Sequence, residues 1–163
     1  MKKLWIAILA LVLCLNMAAF ASAAAVGGGP ALRDDADLLT DAQETRLREE
    51  LVRISQAYGA QVAIVTVAAS GTEDMNRYVE DLYRDDNYGA GSDRSGVLLL
   101  VCMDPREYRI LSNGFAGVAI SNENIDAICD VIQPDLSSGD YASAFENFGE
   151  ECAYYLNGYL NGY

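Results

Sequence analysis

The acidic loop from Asp85 to Asp93 carries the clearest chemistry in this sequence. Asp85, Asp86 and Asp93 supply hard oxygen ligands on a glycine-containing backbone, a combination that suits Ca²⁺ better than the stricter octahedron of Mg²⁺. We expect Asn113 to contribute as well, because a β-hairpin should return its turn to the same end of the sheet. The loop lacks the closing glutamate of the twelve-residue EF-hand pattern. The sequence therefore predicts a calcium site of irregular geometry, and the alternative is an acidic loop that is only solvated.

Asp35 is the alternative ligand for the same ion. It lies in an acidic stretch directly before the first predicted helix. That helix should begin at the opposite end of the sheet from the loop, so we expect Asp35 to lie apart from the other acids.

Composition excludes several other kinds of site. The chain has 163 residues and no histidine, which removes Ser-His-Asp and Cys-His nucleophiles and His-ligated zinc. Its net charge of −13 is unsuited to a nucleic-acid backbone. The glycines from Gly89 to Gly96 superficially resemble a nucleotide loop, but they precede a strand instead of opening a helix, the reverse of a phosphate loop. Cys102 lacks the spacing of a thiolate phosphatase loop. We predict no catalytic residue and no certain cofactor, with Ca²⁺ as the candidate ion.

Residues 1–23 are predicted to be a secretory signal peptide. Lys2 and Lys3 precede an apolar run that Asn16 interrupts, and Ala21-Ser22-Ala23 forms a cleavage site. The alternative is a permanent anchor, but the apolar run is shorter than the roughly 20 residues that span a bilayer. Cleavage would leave nine arginines against 24 acidic residues, a formal charge of −15. We expect a secreted or extracytoplasmic, cell-surface-associated protein whose chain keeps no stable membrane anchor after cleavage.

Three cysteines lie beyond the predicted signal peptide, at positions 102, 129 and 152. An odd number leaves at least one thiol unpaired within the chain. Cys129 and Cys152 fall on consecutive predicted helices, where a disulfide is one alternative. Their unequal distances from the connecting turn argue against it.

Hydrophobic patterns predict an α/β fold, specifically a three-layer α-β-α sandwich with a small mixed sheet flanked by helices. The predicted order is a helix from Thr40 to Gly59, a strand over 61–68, a helix from about 72, a strand over 96–102, a hairpin strand over 107–112, a helix ended by Pro134 and a last helix from Asp140. The first two strands should be parallel and buried on both faces. We assign 24–33 to a flexible lead-in, 34–158 to the domain and 159–163 to a short tail.

Five stretches, taken in order, resemble the TPM domain family, in a Gram-positive secreted branch. They are Asp35–Thr40, Gln61–Val67, Asn87–Val101, Arg109–Gly114 and Ser138–Phe145. The resemblance covers Arg33 to about Leu156. It implies the same three-layer sandwich.

The resemblance also implies a function. The family includes thylakoid-lumen proteins linked to photosystem II repair and an accessory protein of a nematode receptor. The resemblance therefore implies a non-catalytic accessory domain that assists a membrane or envelope protein assembly from outside the cytoplasm. The expected partner is an envelope or membrane protein, and no nucleic acid is expected to bind. Weak acid phosphatase activity and calcium binding, attributed to plant members, make a metal-dependent acid phosphatase the alternative. Gly117-Val118 stands where other branches often carry an acid, which weakens that alternative.

Overall fold

A computed structural model describes residues 26–162. The predicted signal peptide lies outside these residues. Four strands and five helices follow in chain order: β1 (Leu32–Asp34), α1 (Asp41–Tyr58), β2 (Gln61–Val67), α2 (Met75–Asp85), β3 (Gly96–Cys102), β4 (Glu107–Asn113), α3 (Phe115–Ala119), α4 (Asn122–Ser138) and α5 (Tyr141–Asn161).

Local sequence signals account for the longer elements. Helix α1 begins at a capping box, in which the Thr40 hydroxyl accepts from Gln43 N–H and the Gln43 side chain accepts from Thr40 N–H. It ends at Gly59, which adopts the left-handed conformation at φ 68°. Strands β2 and β3 are continuous apolar runs and are buried along their whole length, as expected for strands covered on both faces.

The sheet has the order β1-β2-β3-β4. Strands β1, β2 and β3 are parallel, whereas β4 returns antiparallel to β3 with Gly96 opposite Asn113. The side chains of Leu98, Leu100 and Val65 pack under α2, and those of Leu99 and Ile64 pack under the layer of α1, α4 and α5. All five are fully buried. The α/β class, the three layers and the mixed sheet are therefore confirmed.

The structure differs from the predicted elements in four places. Residues 32–34 form β1, so the predicted flexible lead-in contributes to the sheet, and Gly28 N–H also donates to the Asn87 carbonyl at 3.1 Å. Phe115–Ala119 forms a short helix that the patterns did not predict. Helix α4 continues through Pro134 to Ser138. Helix α5 extends to Asn161, so residues 159–161 are helical and not a separate tail. Among residues 26–162, no helix is both long and apolar enough to cross a bilayer.

Candidate functional site

The predicted loop packs against the short helix α3 at the end of the sheet where β2 and β3 begin. The carboxylate of Asp93 accepts a hydrogen bond from Phe115 N–H at 3.3 Å, and the Ser95 hydroxyl accepts from Ala116 N–H at 2.9 Å. These side chains accept from the first two amide groups of α3. The residue at the N-cap position, Gly114, has no side chain that could do so. Asp93 therefore acts as a helix cap contributed by a distant part of the chain.

Glycine at position 114 makes this close approach feasible. Gly114 has φ 64° and ψ −149°, a combination accessible essentially to glycine alone. A Cβ atom there would lie 2.7 Å from Ser95 Cα and 2.8 Å from the Asp93 carboxylate. The turn can thus bring α3 against the loop without a side chain between them.

Arg94 fixes the other side of the loop. Its guanidinium donates to the carbonyls of Tyr83 and Tyr88, both at 2.7 Å, and lies 5.6 Å from the centre of the Tyr83 ring. The Tyr83 hydroxyl donates back to the Arg94 carbonyl at 2.8 Å. Arg94 thereby satisfies carbonyl groups at the end of α2, where a cation is favoured.

Asn113 lies beside Asp93, as the hairpin geometry predicted. Its side-chain NH₂ donates to the carbonyls of Asp93 and Arg94 at 3.1 and 2.9 Å. The side chain therefore already links the hairpin turn to the loop.

Arginines neutralise the other predicted metal ligands. Asp85 pairs with Arg84 at 2.9 Å. Arg33 lies 2.6 Å from the Asp86 carboxylate and 3.1 Å from that of Asp35. Within the described part of the chain, no group of three or more His, Cys, Asp or Glu side chains is placed to share an ion. Calcium binding by Asp85, Asp86, Asp93, Asn113 and Asp35 stays a prediction.

Asp35 follows β1 at the opposite end of the sheet from Asp93, as expected, but it is not separated from Asp86. Asp35 and Asp86 contact the same guanidinium, that of Arg33. The reason is β1, which the sequence patterns did not predict: it lies along the second half of β2, with Leu32 opposite Ile64. Arg33 projects from this strand and reaches the acid at the end of α2.

A second feature, which we call the tyrosine groove, lies on the other side of α3. It is an open groove of about 490 Å³ whose lining includes Val118, Asn124, Tyr154, Tyr155, Gly158 and Tyr159. Phe115 joins the groove to the loop, because its amide contacts Asp93 and its ring stacks on Tyr159 with 6.1 Å between ring centres. The groove therefore shares its structural support with the predicted metal loop.

The tyrosine groove presents apolar groups to solvent. Val118 is 65% exposed and Tyr154 is 61% exposed. The Tyr154 and Tyr155 rings pack edge to face, with 5.2 Å between ring centres. Partial burial raises the pKa of Tyr155, and the nearby Glu151 carboxylate raises it further. The sequence patterns did not predict this groove. The adjacent tyrosines 154 and 155 and the absence of any lysine or arginine after Arg109 were the available signals.

The cysteines lie apart from both features. The Cys102 thiol is buried and donates to the Asp104 carbonyl at 3.2 Å, beside a cavity of about 310 Å³ at the far end of β3. Cys129 and Cys152 are both free thiols, so the alternative disulfide is not formed. Burial raises the pKa of the Cys152 thiol well above its usual value, which makes this group a poor nucleophile at neutral pH.

The sequence of this chain is similar to a known domain family and to a curated bacterial protein. The family model described as the TPM domain matches residues 32–155. The UPF0603 protein YdjH of Bacillus subtilis (strain 168) is 30% identical over 115 residues, which are 71% of this chain and 43% of that protein. The chain thus spans less than half the length of this curated relative.

Solved structures share the fold. The solution structure of the N-terminal domain of a P. gingivalis protein superposes with a TM-score of 0.71 at 24% identity, over 82% of this chain and 86% of that one. The BA42 protein of Bizionia argentinensis superposes with a TM-score of 0.64 at 16% identity, over 74% of this chain and 83% of that one. The N-terminal domain of the cg2496 protein of Corynebacterium glutamicum superposes with a TM-score of 0.61 at 12% identity, over 76% of this chain and 77% of that one. These likenesses show the fold alone.

Proposed function

This chain belongs to the TPM domain family, and on that premise we propose that it is a non-catalytic extracytoplasmic domain that assists a membrane or envelope protein assembly by binding one of its proteins. The proposed location rests on the signal-like residues 1–23. The proposed binding role rests on the surface of the domain.

The observation that carries the proposal is the concentration of exposed apolar groups at one place. Among the described residues, the large hydrophobic side chains that are most exposed are Val118, Val131, Tyr154, Tyr159 and Leu160. All except Val131 lie on α3 or on the last turns of α5. Clustered exposed apolar side chains are typical of interaction sites, and tyrosine is enriched in the buried centres of protein interfaces.

Site-specific photocrosslinking tests the proposal. A benzoylphenylalanine residue replaces Tyr154 in the tyrosine groove, and a matched variant carries it at Val131, which is exposed on α4 outside the groove. Both proteins are expressed from the full chain in the native host and irradiated in intact cells. We expect an adduct with an envelope or membrane protein from position 154 that position 131 does not give. Identical adduct patterns, or no adduct at position 154, would refute the binding role of this surface.

A further inference from the structure

We propose that the tyrosine groove binds a cationic amphipathic segment of the partner protein, in which lysine or arginine side chains contact the tyrosine rings and an apolar side chain packs against Val118. This inference rests on the proposed function and adds the chemistry of the partner. It is carried by the distribution of charge around the groove.

The elements that form the groove contain no cation. Arg109, in β4, is the last basic residue of the chain, and the 54 residues that follow include eight acids and neither lysine nor arginine. Helices α3, α4 and α5, which supply all the lining residues, lie entirely within this stretch. The lining side chains themselves are uncharged, and the only charged residues on the helices that supply them are acids, so a complementary partner segment is positive.

The lining groups suit a cation with an apolar neighbour. The face of a tyrosine ring attracts ammonium and guanidinium groups, and the strongly exposed Tyr154 ring is open to such a contact. Glu151 lies one turn before Tyr155 and acts on it electrostatically, so a carboxylate stands near the same rings. Val118, exposed on the opposite wall, offers an apolar contact. Burial of these rings and the valine would supply affinity, and the charges would supply specificity.

The same charge argues against two other occupants. A second copy of the chain would bring the same acid-bearing helices and a like net charge of −13, so self-association on this face is opposed electrostatically. An anionic lipid surface is opposed for the same reason. A cationic peptide segment is the occupant that the surface fits.

Three synthetic peptides of twelve residues test this inference. One is a lysine–leucine amphipathic helix, the second replaces each leucine by serine, and the third replaces each lysine by glutamate. Each is titrated into isotope-labelled protein expressed from the full chain, and amide shifts locate the contact. The Tyr154→Ser variant removes a groove ring, and the Val131→Ser variant is the matched control outside the groove.

We expect the lysine–leucine peptide to shift the amides of Val118, Tyr154, Gly158 and Tyr159, with affinity that falls as salt increases. Tyr154→Ser should weaken it by roughly tenfold, as for a residue central to an interface, and Val131→Ser should not. Equal binding of the lysine–serine peptide, equal binding of the glutamate–leucine peptide, shifts outside the groove, or no binding at millimolar peptide would each overturn the inference. If the inference fails while position 154 still crosslinks to an envelope protein, the proposed function stands and only the cationic partner is wrong.

Discussion

The carboxylate of Asp93 accepts a hydrogen bond from the backbone N–H of Phe115, 22 residues further along the chain. The Phe115 ring stacks on Tyr159, so one residue connects the acidic loop to the tyrosine groove. A change in the loop is therefore expected to alter the position of α3, and with it one wall of the groove.

Replacement of Asp93 by alanine should lower stability through loss of the cap on α3. Removal of a capping side chain typically costs about 0.5–2 kcal/mol of unfolding free energy. Asp93→Asn retains an acceptor oxygen and should lose less. Urea denaturation measures both, with Ser92→Ala at the exposed neighbouring position as control. If Asp93→Ala is as stable as Ser92→Ala, Asp93 is not a cap in solution.

Calcium binding should respond to Arg33. Its guanidinium occupies the space between the carboxylates of Asp35 and Asp86, so Arg33→Gln removes the competing charge. We expect calorimetry to show calcium affinity rising several-fold in Arg33→Gln and staying unchanged in Arg106→Gln, an exposed arginine in the turn between β3 and β4.

Two outcomes of that titration would eliminate the predicted metal site. One is the absence of heat from either protein at millimolar calcium, and the other is heat that Asp93→Asn leaves unchanged.

The phosphatase alternative is separately tested by hydrolysis of a chromogenic phosphate ester at acidic pH. It requires turnover that disappears with chelator and in Asp93→Ala.

Replacement of Leu99 by aspartate should prevent folding. Leu99 lies at the centre of β3 and is fully buried, so the new carboxylate would be an unpaired buried charge costing several kcal/mol. This is a large part of a typical stability of about 5–15 kcal/mol. Leu160→Asp makes the same substitution at an exposed leucine of α5. Circular dichroism of the two purified variants compares them, and a folded Leu99→Asp protein would mean that this face of the sheet is open.

Stability should decline at alkaline pH because several tyrosines, Tyr83 and Tyr88 among them, must stay neutral in the fold. Burial raises the pKa of Tyr83 and of Tyr88 to about 12, above the usual value of about 10. Ionisation therefore favours the unfolded chain, and this contribution is complete below pH 10 and is lost as pH rises towards 12. Denaturant titrations between pH 8 and 12, with absorbance to follow tyrosine ionisation, measure the decline.

The two tyrosines also differ at neutral pH, which provides the control. Tyr83 donates a hydrogen bond to the Arg94 carbonyl, so Tyr83→Phe should lose about 1 kcal/mol. The Tyr88 hydroxyl is buried and has no hydrogen-bond partner among the described residues, so Tyr88→Phe should be neutral or stabilising. Equal losses from both substitutions would contradict this account.

The sequence was sufficient for the central sheet but not for its periphery. Strands β2 and β3 are recognisable because burial on both faces demands continuous apolar runs. Strand β1 has three residues, two of them charged, and pairing with β2 alone makes it a strand. Helix α3 has five residues including a glycine, and caps from Asp93 and Ser95 support it. Contacts between distant parts of the chain determine both elements, so neither leaves a local pattern.

Pro134 gave a misleading signal for a similar reason. Proline removes one helical hydrogen bond and usually ends a helix. Here both Pro134 and Asp130, whose carbonyl loses its donor, are exposed, so water can replace the bond. Leu136, two residues later, is buried, and its packing favours continuation of α4. The candidate site followed the same rule: the proximity of Asn113 to Asp93 followed from hairpin geometry, whereas the pairing of Asp86 with Arg33, 53 residues away, depends on tertiary packing.

The order of the strands also bears on aggregation. Strands β2 and β3 are short segments of high β-propensity without charge, the composition that forms cross-β fibrils when it is exposed. The sheet places both in its interior and leaves β1 and β4 at its two edges. Strand β1 is too short to template another chain, and β4 carries Glu107 and Arg109, charges that discourage edge-to-edge pairing. The hazardous segments are thus flanked by edges that resist amyloid growth, and protection lasts only while those edges remain in place.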